Sequence, residues 1–228
     1  MKEAFNTLCA NLLFATDDAK AIMVTSCFPQ EGKSSVSFEM VRTIGEMGRR
    51  VVLLDADIRA SCLMEDYDIK VEQASKKPLL GLSRYLAGGC GIEDIICSTN
   101  LKNVSMILSG RNVVNSLPLL SGERLGELID VLKDNFDVII IDTPPIGTII
   151  DAAKIARHCD GVLFVVKSGE VRKKDLADAM RQLERTGCPI FGTVLNGYAG
   201  DKRMGKDYYS SYYNMMDDGE KPRKSKGK

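Results

Sequence analysis

Apolar positions along this chain recur at two different periods. Over residues 3–15, Phe5, Leu8, Leu12 and Leu13 fall at helical spacing and predict an amphipathic helix. Residues 21–25 are a short apolar run that predicts a buried strand, which leads into the turn sequence Pro29-Gln30-Glu31-Gly32. A helix is expected over 33–47, closed by Gly48, and 51–54 reads as the next strand. Residues 60–100 are less legible, with helical spacing around 81–86 and 92–96. Beyond them, strands at 104–108, 138–141, 162–166 and 190–195 alternate with helices at 121–133, 151–156 and 173–185. Continuous apolar strands alternating with helices imply an α/β domain with a mostly parallel sheet and helices on both faces. Right-handed crossovers then gather the functional loops at the carboxyl ends of the strands. After Tyr198 the pattern stops. Residues 199–228 are rich in Gly, Asp, Lys and Tyr and have no periodic apolar face, so a flexible tail is expected on a domain of residues 1–198.

Charge and cysteine usage narrow the function classes. Lys+Arg and Asp+Glu both number 31 in 228 residues, so no global field draws the protein to nucleic acid. The seven cysteines are scattered and no two lie two residues apart, which speaks against a disulfide framework or a zinc site and for a reducing cytoplasm. No basic-then-apolar leader opens the sequence, and its longest apolar runs, 138–141 and 161–166, are strand-sized. Attachment to the inner face of the cell membrane is therefore expected to come through a partner.

Three segments carry chemistry. Pro29, Gln30, Glu31, Gly32, Lys33, Ser34 and Ser35 join a strand to a helix. There, backbone N–H groups and a helix N-terminus cradle phosphates, Lys33 reaches the β and γ oxygens, and the Ser34 hydroxyl ligates Mg²⁺. Cys27 stands at the first position of the usual G-x-x-x-x-G-K-S/T pattern, which leaves the strand–turn–helix context to carry the reading. The second segment, Asp55-Ala56-Asp57-Ile58-Arg59, follows an apolar strand, and period-two alternation would turn Asp55 and Asp57 the same way. In the third, Asp142-Thr143-Pro144-Pro145 ends another strand. Any one such aspartate could serve only a turn or a cap, but three beside a phosphate loop read as a Mg²⁺ site for phosphoryl transfer from ATP. Asn196 ends the last strand, where either an adenine contact or a turn role fits. His158, the single histidine, is given no role.

With these motifs the sequence resembles the bacterial tyrosine kinases of capsule and exopolysaccharide loci, whose fold is related to that of P-loop ATPases. The phosphate loop, the D-x-D-x-R segment 55–59 and the apolar-D-T-P-P segment correspond to that family's Walker A, A′ and B motifs. The likeness extends to Asp151-Ala152, Asp160-Gly161, Val194-Leu195-Asn196 and a terminal tyrosine cluster. The resemblance implies that Lys33 holds the phosphates and that Ser34 and Asp57 serve the magnesium directly. Asp142 would serve it directly or through water, and Asp55 is the candidate base for an incoming tyrosine hydroxyl. Tyr208, Tyr209, Tyr212 and Tyr213 would be the phosphoacceptors, since four aromatic rings in six positions gain nothing by burial in a polar tail; a small packing or partner-docking patch is the other reading. A membrane adaptor of the polysaccharide co-polymerase type with an activating tail, and a phosphotyrosine phosphatase, are the implied partners.

The resemblance has gaps. The family's N-terminal helix commonly carries E-x-x-R-x-x-R, which joins subunits into a ring, whereas here Glu3 is followed by Asn6 and Cys9. Ring assembly, and the transfer between neighbours that depends on it, therefore lack the usual arginines, while self-association in trans stays an expected partner relation. Val113, Val114 and Ser116 stand where a family segment usually has prolines. Two other readings compete: a positioning ATPase of the MinD/ParA type, which usually carries a lysine where this chain has Phe28, and a nucleotide-responsive scaffold of polysaccharide assembly with little catalysis.

Overall fold

The computed structural model describes residues 2–15, 18–61, 63, 71–72 and 80–198, and a single compact unit extends to Asn196. Among the described residues eight strands form one sheet: β1 (Ala21–Ser26), β2 (Val51–Asp55), β3 (Val71–Glu72), β4 (Ile96–Thr99), β5 (Val104–Ile107), β6 (Val138–Asp142), β7 (Gly161–Lys167) and β8 (Ile190–Asn196). Their spatial order is β3-β4-β5-β2-β6-β1-β7-β8. From β5 to β8 every pairing is parallel, and the edge pairs β3–β4 and β4–β5 are antiparallel.

Alternation along the central strands divides the core in two. Ile22, Val24, Val51, Leu53, Val138 and Ile140 face one cluster, and their chain neighbours Met23, Val52, Leu54, Ile139 and Ile141 face the other. The first cluster is closed by α1 (Lys2–Ala15) and α2 (Lys33–Glu46). On the opposite face lie α3 (Leu82–Leu86), α4 (Leu117–Leu120), α5 (Glu123–Asn135), α6 (Asp151–Ile155) and α7 (Lys173–Glu184). Each of these side chains is removed from water, and full burial of such a residue contributes about 1.5–3 kcal/mol.

The region 60–100 departs from expectation. A helix does form at Leu82–Leu86, but the apolar spacing over 92–96 belongs to a turn followed by β4. Its alternation decides the matter: Ile95 and Cys97 are buried, and Cys97 sits opposite Met106 in the antiparallel ladder with β5. A run this short is compatible with either period until a partner strand is available. The helix expected from residue 121 begins at Glu123, after the separate short helix α4.

Helix α1 is also informative. Leu12 is buried, Phe5, Leu8 and Leu13 pack partly against the first cluster, and Asn6 is exposed. Cys9 is fully buried, with its Sγ 3.9 Å from the Met40 carbonyl. An arginine at this position would have to bring its guanidinium into the core, so in this chain position 9 is a packing position.

Candidate active site

Strand order determines which loops meet. Because β6 lies between β2 and β1, the loops after all three share one end of the sheet, and the register sets Asp55 opposite Asp142 and Asp142 opposite Val24. Residues 87 positions apart in the chain thus become neighbours beside the phosphate loop.

The loop is shaped by two left-handed residues, Gln30 at φ 64° and Gly32 at φ 86°. Glycine is required at position 32, since a Cβ there would lie 2.0 Å from Asn196 Nδ2. The Asn196 amide donates to the Glu31 carbonyl at 2.9 Å, tying the end of β8 to the loop. Gly32 caps α2 without a side-chain hydrogen bond, leaving the first amides of that 14-residue helix to face an anion. Glu31 contributes main chain only. Its side chain is turned inward, with Oε2 accepting from the Phe28 amide at 3.1 Å and Oε1 buried without a partner among the described residues.

A cleft of about 440 Å³ opens over this loop. Pro29, Gln30 and Gly32 to Ser35 form one wall, and Asp57, Ser61 and Asp142 another. Asp142 is buried and accepts from the Ser37 hydroxyl at 3.2 Å, while that hydroxyl also reaches the Lys33 carbonyl. Burial pushes the Asp142 carboxyl up to about 7; Lys33 opposes the rise, and nearby Asp55 adds to it. Asp57 Oδ1 accepts from the Ala60 amide at 3.0 Å, which fixes the turn after β2.

Asp55 does not share the cleft wall with Asp57, contrary to the alternation expected for an extended strand. The strand ends at Asp55; the Ala56 amide still donates to the Asp142 carbonyl at 2.8 Å, continuing the ladder, and the turn follows at residues 58–60. Asp55 is buried and lies outside the cleft lining. Its Oδ2 accepts from the Ser61 hydroxyl at 2.5 Å and the Ser109 amide at 3.3 Å, and burial raises its carboxyl to about 6. Ser61 lines the cleft, so its hydroxyl stands between Asp55 and the open space.

A second layer holds the turn after β2. Arg59 donates through Nε and Nη2 to the fully buried Asp151 carboxylate, at 2.7 and 3.3 Å, and through Nη1 to the Val114 carbonyl at 3.0 Å. Ser116 also donates to Asp151. Arg59 and Asp151 lie in segments that the family likeness covers, but their pairing, and the parts of Ser37, Ser61 and Ser116, had no signal in the sequence, since a serine gains such a role only from what folds beside it. The tyrosines 208, 209, 212 and 213 lie outside the described residues.

The donors fit a nucleotide with a hard cation. Gly32 leaves space where a side chain would intrude, uncapped helix amides face the same loop, and the cleft-lining donors are oxygens with one lysine. Among the described residues no three His, Cys, Asp or Glu side chains form a metal cage by themselves.

Comparison with known proteins agrees with this geometry. A family model described as an AAA domain matches residues 20–185. The tyrosine-protein kinase CpsD of Streptococcus pneumoniae serotype 4 is 36% identical over 86% of this chain and 83% of its own length. The kinase domain of the Escherichia coli tyrosine kinase ETK superimposes with a TM-score of 0.78 at 28% identity, covering 88% of this chain and 78% of that one. The septum site-determining protein MinD of Pyrococcus horikoshii, complexed with Mg-ADP, is more distant at TM-score 0.65 and 26% identity, over 81% of this chain and 72% of its own. Sheet order, phosphate loop and these likenesses together place the chain in the AAA-domain family and, within it, in the bacterial tyrosine-protein kinase family.

Proposed function

We propose that this chain transfers the γ-phosphoryl group of ATP to tyrosine hydroxyls, among them Tyr208, Tyr209, Tyr212 and Tyr213 of a neighbouring copy, and so regulates capsular or exopolysaccharide synthesis. The observation that carries the reading is the register that pairs Asp55 with Asp142, the latter lining the cleft over the Gly32–Lys33 loop. Lys33 and the loop amides would hold the phosphates, Ser34 and Asp57 would hold the magnesium directly, and Asp142 would hold it directly or through water. The bound cation supplies charge neutralisation on the moving phosphoryl group. As the tyrosine oxygen bonds to the γ-phosphorus, the bond to the β–γ bridging oxygen breaks and ADP departs. The tyrosine proton passes to Ser61, whose own proton moves to Asp55, the base at the end of this relay. Asn196 holds the loop and stands at the end of β8 where adenine would rest.

A membrane adaptor of the polysaccharide co-polymerase type would bring the chain to the inner face of the membrane, a role that the family likeness supports, and a phosphotyrosine phosphatase would reset it. No helix among the described residues is long and apolar enough to cross a membrane. Phe28 in place of an early loop lysine and the tyrosine cluster both favour a kinase over a positioning ATPase.

Incubation with Mg-ATP followed by mass spectrometry tests the reading. Phosphate is expected mainly on the four tail tyrosines, and Lys33→Met should lower its appearance on the order of 10³-fold while the protein stays folded. Changing all four tyrosines to phenylalanine should remove most of the product and leave ATP binding intact. Modification concentrated on Tyr67, Tyr85 or Tyr198, or equal activity in Lys33→Met, would refute it.

A further inference from the structure

Next to the nucleotide cleft, and sharing Ile149 with it, is a second concavity of about 480 Å³ between the loop after β6, α6 and α7. Its lining includes three cations, Lys154, Arg157 and Arg185, and no acidic side chain. None of the three takes part in a side-chain ion pair or hydrogen bond among the described residues. Nearby cations behave differently. Arg172 and Arg181, at the cap and on the outer part of α7, are matched by Asp175 and Asp178 three residues away. The concavity is apolar on its other side, where Ile149, Ala153 and Ile150 lie, the last of them 60% exposed.

An apolar wall beside a set of unmatched cations suits one kind of side chain, an aromatic ring that ends in a phosphate. We infer that this concavity binds the phosphorylated tyrosine tail of a second copy of this chain, with the ring against Ile149 and Ile150 and the phosphate on Arg157, Arg185 and Lys154. The inference rests on the kinase reading for the source of the phosphate. Charge explains the discrimination. Residues 201–228 hold eight Lys or Arg and five Asp or Glu, a net charge of +3 that the three cations repel. Four phosphotyrosines, each adding about −1.5 to −2, bring the tail to about −3 to −5 and reverse the interaction. Such a tail is repelled by the carboxylates of the cleft and attracted by the concavity that adjoins it. A product tail thereby leaves the cleft without leaving the molecule that modified it. A lipid surface is the less suitable partner, because these cations line a hollow flanked by isoleucines.

The test uses the full chain with the four tail tyrosines changed to phenylalanine, titrated with a labelled synthetic peptide of residues 201–216 phosphorylated at all four tyrosines. The unphosphorylated peptide should bind at least about tenfold more weakly. Arg157→Ala with Arg185→Ala should weaken phosphopeptide binding at least about tenfold and leave the melting temperature and ATP affinity unchanged, and Arg157→Lys with Arg185→Lys should recover part of the loss. Equal binding of the two peptides, or no effect of the double alanine variant, overturns the proposal. So does a variant that loses binding to vesicles containing phosphatidylserine but keeps the phosphopeptide, which would assign the cations to lipid. Because the phosphates are synthetic, peptide binding in a chain that fails to phosphorylate tyrosine would refute the kinase reading and leave the concavity standing.

Discussion

Aspartates at the two ends of the same sheet are treated in opposite ways. At the amino ends, Asp137 before β6 accepts from the Arg50 amide and side chain at 2.8 and 2.7 Å. Asp160, before β7, accepts from the Lys20 and Ala21 amides and from Lys133 Nζ, at 2.9, 2.8 and 2.5 Å. At the carboxyl ends, Asp55 and Asp142 are more deeply buried and belong to no ion pair among the described residues. Arg50 holds Asp137 below the ordinary aspartate value. At Asp160 burial alone would raise the carboxyl, but the Ala21 amide, Lys133 and the Lys20 amide outweigh it. Burial raises the other pair to about 6 and about 7. Acids that staple the fold have their partners supplied by the fold. Those at the cleft are left under-compensated, which is the condition a cation and a nucleotide would complete.

The sharpest way to break this contrast is Asp142→Asn. Phosphotransfer should fall on the order of 10²-fold, because the site loses a charge that acts on the reacting phosphate. Stability measured in urea should stay level or rise, since a buried, unmatched carboxylate is replaced by an amide of the same shape. A clear loss of stability would show that Asp142 is a staple after all.

Asp160→Asn should do the reverse, leaving activity intact and lowering stability by about 1–3 kcal/mol at neutral pH. The folded state lowers this carboxyl below its reference value of 3.8, so its contribution is fully present above that value and is lost as the pH falls through the lower, folded one. Wild type and Asp160→Asn should therefore converge in acid, and denaturation at several pH values would reveal a gap that persists there.

Arg50→Ala should have the smallest effect, because the arginine side chain is 61% exposed and its pair with Asp137 is screened. Raising the salt concentration should shrink the difference further. A larger, salt-independent loss would mean that the two amino-end acids are not alike.

What the sequence determined by itself was what depends on near neighbours in the chain. The apolar runs of β1, β2, β6 and β7 were legible because an inner strand covered on both faces is mostly apolar, that of the partly exposed edge strand β8 because it follows a helix in the same alternating order, and the loop from Pro29 to Ser35 because a phosphate cradle needs a glycine and a helix start in succession. Asp57 and Asp142 were legible as acids at strand exits. The tertiary structure alone decided the rest. It set Asp55 against Asp142 and the Ser109 amide, placed Asp142 in the cleft over the phosphate loop, tied Asn196 to the Glu31 carbonyl and turned Cys9 into the core. It also converted the short apolar pattern before Thr99 into a strand, once β5 was there to pair with it. Each of these depends on a ladder register or a packing contact between residues far apart in the chain, and local periodicity holds no information about which distant segment will supply the partner.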